Sequence, residues 1–133
     1  YIHNSVTDGM GKIGVLINFN NDSSEIDNIG KNICMHIAAS SPKSLTVEDL
    51  DKSIIKSEKE IISKQLKETG KPDNILEKMM QGKLNKFYEE NTLMRQKFVI
   101  DPSISVEQYL TQASNEINSQ INIKEFLRFE IGS

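Results

Sequence analysis

Two charged segments on either side of Thr69-Gly70-Lys71-Pro72 restrict the fold of this chain more than any other feature. The first opens at Thr46-Val47-Glu48-Asp49, an acidic start suited to the positive end of a helix macrodipole. It carries Leu50, Ile54, Ile61 and Leu66 at helical spacing, widened by Ile55 and Ile62. The second, Asp73 to Glu89, repeats the seam with Ile75, Met79, Leu84 and Phe87, joined by Leu76, Met80 and Tyr88. Seams this narrow on otherwise charged helices bury each other rather than a broad core. Gly suits the left-handed position after a helix, and Pro the first turn of the next. The pattern therefore predicts an antiparallel coiled-coil hairpin within residues 47–90, helical over 47–68 and 73–89, projecting roughly 30 Å.

The flanking segments, residues 1–46 and 91–133, must then form the core. Residues 1–6 alternate, Thr7-Asp8-Gly9-Met10-Gly11 carries a turn signal, and Ile13, Val15, Ile17 and Phe19 alternate again, which reads as a β-hairpin. Asp22 or Ser23 can cap a helix over 24–39, whose Ile26, Ile29, Ile33 and Ile37 fall on one stripe, before Ser40-Ser41-Pro42 ends it. Residues 91–102 read as an extended connection, and Ser105-Val106-Glu107-Gln108 as a capping box opening a short helix through Ala113. At the end, Leu127, Phe129 and Ile131 alternate with Phe126, Arg128 and Glu130, as in a strand with one core face. The expected class is α+β: a three-stranded antiparallel sheet (1–6, 12–20, 124–131) covered by helices, with the coiled-coil hairpin inserted.

Composition narrows the function. The 133 residues make one domain, and 16 basic against 19 acidic side chains leave a net charge of −3, without the basic excess of a protein that binds nucleic acid directly. One cysteine, Cys34, allows neither an internal disulfide nor a zinc framework. With no apolar run long enough for a membrane span and no leader, a cytoplasmic protein is expected. A strand-like start at Tyr1 without a methionine suggests a piece of a longer protein whose other half lies upstream.

No catalytic or metal site emerges, and no cofactor is implied. Cys34 and His36 are two residues apart on a helix, so their side chains diverge. Asn18, Asn20 and Asp22 imitate a calcium loop, but Ser23 replaces the required glycine and Ile29 the closing acid. Gly9-Met10-Gly11 leads into a strand rather than a helix, so it is no phosphate cradle. A protein-binding surface remains. Phe98 reads as core, Val99 and Ile100 fit core or contact equally, and His3 reads as a half-buried sheet residue.

The chain resembles the bacterial elongation factor Ts family over nearly its whole length. The resemblance is carried by Tyr1-Ile2-His3, Lys12-Ile13-Gly14-Val15-Leu16, Met35-His36-Ile37-Ala38-Ala39 with Pro42, and Gly70-Lys71-Pro72. It continues through Gln96, Phe98-Val99, Asp101-Pro102 and Phe126-Leu127-Arg128-Phe129-Glu130-Ile131-Gly132, and it departs at Lys97, where the family usually has proline. It implies the C-terminal half of the factor: a core subdomain with an inserted coiled-coil arm. The partner implied is elongation factor Tu, whose third domain this subdomain grips, with His3, Val99 and Ile100 at the interface. The activity implied is GDP/GTP exchange by binding, without chemistry. The Asp-Phe pair that loosens the nucleotide in the family lies in another subdomain. The competing reading is a structural module that self-associates through the coiled-coil arm.

Overall fold

The computed structural model describes residues 1–7, 10–21 and 24–131, and the side chains of all of these except 3–7, 10 and 11. The fold is α+β. Strand β1 (Ile2–Thr7) pairs antiparallel with β2 (Met10–Phe19), and β2 pairs antiparallel with β3 (Ile123–Glu130), so β2 lies between the other two. Helix α1 (Ile26–Ser40) follows β2, helices α2 (Lys52–Lys67) and α3 (Asp73–Asn91) follow one another, and α4 (Val106–Glu116) precedes β3.

The period-two residues of β2 face α1. Ile13 and Val15 are buried, and Ile29, Ile33 and Ile37 of α1 join them in one cluster with Leu93, Phe98, Val106, Leu110, Ala113, Ile121 and Ile123. The ring of Phe19 lies so near Gly30 that a Cβ there would stand 3.2 Å from it, so a small residue allows the helix to approach the sheet. Helix α1 ends with Ser41 in the left-handed region at φ 45°, its N–H donating to the Ile37 carbonyl. The expected cap at Asp22 or Ser23, the hairpin tip at Asp8-Gly9 and the closing Gly132 lie outside the described residues.

Strand β3 presents the face opposite to the expected one. Leu127, Phe129 and Ile131 are exposed, and Phe126 packs on the core with Ile123. Arg128 turns inward, donating from Nη2 to the Ala38 carbonyl at 3.1 Å and pairing with Glu130 at 3.2 Å. The reason is the end of α1: the last carbonyls of a helix lack intrahelical donors and carry partial negative charge, which a guanidinium satisfies.

Helix α2 begins later than its acidic prelude suggests. Asp51 is the cap, accepting from the Ser53 N–H at 2.9 Å, while residues 46–50 form turns that bury Leu50. A carboxylate just before Lys52 out-competes Thr46, whose hydroxyl instead donates to Asp49. Gly70 reverses the chain at φ 68°, and α2 and α3 then pack through Ile62, Leu66 and Leu84, with Leu76, Met79, Met80 and Tyr88 against them. Leu66, Met79 and Leu84 thus hold the expected seam, while Ile61 and Ile75, also expected there, are exposed and their neighbours Ile62 and Leu76 pack in their place. At the root, the Lys43 N–H donates to the Asn91 carbonyl and the Leu93 N–H to the Ser44 carbonyl, which fastens the segments entering and leaving the helical pair to each other. Residues 93–95, expected to be extended, form a 3-10 turn.

Candidate partner-binding surface

The segment that follows the 3-10 turn is a short loop closed on itself. The Phe98 N–H donates to the Ile104 carbonyl, the Val106 N–H to the Gln96 carbonyl, and Asp101 Oδ1 accepts from the Ser103 N–H and hydroxyl. Phe98 points inward, 2% exposed, its ring stacked on Tyr109 at 4.2 Å and tilted toward His36 at 5.9 Å. Val99 and Ile100, next in line, turn outward with 42% and 51% exposure. Two aliphatic side chains in water on a loop anchored by a buried aromatic resemble the apolar centre of a protein interface. A groove of about 760 Å³ borders this loop, and its lining of Lys86, Glu90, Arg95 and Lys97 carries both signs of charge, as a protein-facing rim does.

Beneath the loop, His36 of α1 is fully buried. Its Nδ1 lies 3.1 Å from the Val99 N–H, and because that group can only donate, Nδ1 is the acceptor and the proton sits on Nε2. Nε2 then donates to Gln96 Oε1 at 2.8 Å, and Gln96 Nε2 donates to the Glu90 carbonyl at 2.9 Å. Burial pushes the His36 pKa below its ordinary value of 6.5, an effect the Gln96 hydrogen bond partly opposes. The neutral ring therefore belongs to the fold, with a consequence for stability. Above about pH 6.5 neither state binds a proton there. Below it the unfolded chain takes up a proton that the folded chain refuses, so this contribution to stability declines as pH falls toward the lower folded value. Urea unfolding between pH 7.5 and 5 should show a slope of at most about 1.4 kcal/mol per pH unit that is missing from His36→Asn.

Of the three residues expected at the interface, Val99 and Ile100 share one exposed loop. His3 lies in β1, its backbone paired with Ile13, and its side chain lies outside the described residues. Sequence reasoning missed a second surface. On the sheet face away from α1, Leu16 stands opposite Leu127, and Gly14 lies between Ile2 and Phe129. Ile2, Leu16, Leu127 and Phe129 are all exposed there, with Leu16 at 59% and Phe129 at 55%. The alternation of Leu16, Leu127 and Phe129 was visible in the sequence, but not which face of β3 it would occupy.

Cys34 is buried in the core, and burial raises its thiol pKa, which does not suit a nucleophile. Among the described residues, no helix is long and apolar enough to cross a membrane, and no three His, Cys, Asp or Glu side chains gather as metal ligands would.

Comparison with known proteins places this chain in a family. The family model described as "Elongation factor TS" matches residues 1–133. The chain belongs to the elongation factor Ts family. Among curated members, the elongation factor Ts of Bartonella bacilliformis is 46% identical over 134 residues, covering 99% of this chain and 44% of its own length. That of Paracoccus denitrificans is 45% identical over 123 residues, covering 92% of this chain and 42% of its own length. The chain thus spans less than half the length of these family members.

Proposed function

We propose that this chain is the gripping half of a cytoplasmic translation elongation factor, binding elongation factor Tu and contributing to GDP/GTP exchange. In this reading it is the C-terminal half of the factor, with residues 1–46 and 91–133 as the core subdomain and 47–90 as an inserted coiled-coil hairpin. Val99 and Ile100 contact the partner, with His3 beside them. The observation that carries the reading is the exposed Val99-Ile100 pair on a loop braced from within, in a chain matched end to end by the family model. The factor makes and breaks no bond. It binds the nucleotide-free partner more tightly than the nucleotide-bound one, and by linkage the nucleotide is weakened by the same factor.

A chain that grips without the family's Asp-Phe pair gains little differential affinity, and equal binding to both partner states shifts nothing. The expected result is therefore binding without catalysed release: the chain cosediments with elongation factor Tu, yet in stopped flow a fluorescent GDP analogue leaves at close to its spontaneous rate. Release as fast as with a full-length factor would place the exchange determinant in this chain. The second reading, self-association, draws on the exposed Ile61 and Ile75 of the helical pair and on the apolar sheet face. Sedimentation separates the two, since self-association without uptake of elongation factor Tu would favour the second.

A further inference from the structure

The hydrogen bonds under the exposed loop form one line running from the root of the helical pair to the candidate contact. The Glu90 carbonyl, in the last turn of α3, accepts from Gln96 Nε2. Gln96 Oε1 accepts from His36 Nε2, and His36 Nδ1 accepts from the Val99 N–H. Gln96 is 5% exposed and His36 fully buried, so water does not compete for the bond between them. Every group in the line has one role fixed by its chemistry: a carbonyl can only accept, a backbone N–H can only donate, and the imidazole and amide between them must each do both. The line therefore has a direction and a single working tautomer. It joins α1 to two elements some 60 residues further along the chain, the end of α3 and the 97–104 loop.

We propose that His36 is the positioning residue of the Val99-Ile100 loop, and that through Gln96 it registers this loop to the root of the helical pair. The proposal rests on the reading of Val99 and Ile100 as contacts. A shift of the last turn of α3 would move Gln96, then the ring, then the backbone N–H that sets where Val99 leaves the core. The place of the exposed pair is thus tied to the orientation of the arm, over residues that touch no partner themselves.

Two substitutions divide the line at different points. In His36→Asn the side-chain carbonyl can stand near the former Nδ1 and still accept from the Val99 N–H, while the link to Gln96 is lost. In His36→Gln the amide end can reach Gln96, while nothing accepts from Val99. Amide hydrogen exchange on the chain alone should show Val99 exchanging about tenfold faster in His36→Gln and within a few-fold of the parent in His36→Asn, with Phe98 and Ile33 little changed in either. Affinity for elongation factor Tu should weaken more in His36→Gln than in His36→Asn. Equal loss of Val99 protection in both variants, or no protection of Val99 in the parent, would overturn the proposal. Should either variant fail to fold, nitrogen NMR of the parent decides: Nδ1 unprotonated and Nε2 protonated supports it, and the opposite tautomer overturns it. If the parent chain does not bind elongation factor Tu at all, the functional reading fails, while the exchange data still judge the role of His36.

Discussion

Phe98→Ala should cost about 3–5 kcal/mol of folding stability, the largest loss expected from any single truncation in the 97–104 loop. The ring is almost wholly buried, stacked on Tyr109 of α4 and near His36 of α1, so its removal opens a cavity where two helices meet the loop. The stacked pair adds about 0.5–1.5 kcal/mol beyond area burial. Small domains hold only about 5–15 kcal/mol in total, so the variant should unfold at much lower urea. The loop would loosen with it, and partner affinity should fall through disorder of Val99 and Ile100 rather than through a lost contact. A loss below about 1 kcal/mol would show that the ring does not support the core in solution.

Ile33→Ala and Leu127→Ala remove similar amounts of aliphatic side chain with opposite expected outcomes. Ile33 is fully buried between α1 and the rest of the core cluster, and its truncation should cost about 2–5 kcal/mol. Leu127 lies on the open face of the sheet opposite Leu16, where only a cross-strand pair is lost, about 1 kcal/mol or less. Urea midpoints of the two variants at an unchanged m value measure the difference. Equal costs would mean that the face bearing Leu16, Leu127 and Phe129 is covered in solution, and a dependence of the Leu127→Ala effect on protein concentration would identify a second copy as the cover.

Local patterns predicted the local structure well. Alternation placed Ile13 and Val15 in the core, the isoleucine stripe placed α1 on the sheet, and Ser105 with Gln108 formed the expected capping box, each accepting from the other's backbone N–H. Gly70 also took the left-handed turn. Phase was harder to read wherever neighbouring positions were both apolar. Ile61 with Ile62, and Ile75 with Leu76, offer two seams 100° apart, and only packing between the helices selects one. Strand β3 has the same ambiguity, since Phe126 and Leu127 compete for the core. The decision falls to Arg128, which reaches a helix end 90 residues away in sequence. Of the candidate site, the exposure of Val99 and Ile100 followed only from the resemblance, because an apolar run gives no sign of which residues turn outward. The His36–Gln96–Val99 line was not legible: its members lie 60 and 63 residues apart, and a histidine two positions from a cysteine drew attention to chemistry that the helix geometry forbids.

The claim that this chain grips elongation factor Tu through the outward pair is tested most directly by calorimetric titration of the partner with the parent chain and with Val99→Ala/Ile100→Ala. Truncations at the centre of an interface commonly cost more than about 1 kcal/mol, so affinity should fall about fivefold or more while the melting temperature changes little, both side chains being exposed rather than core. Unchanged affinity in a variant that remains folded would contradict the account, and would move the grip to another surface of the chain.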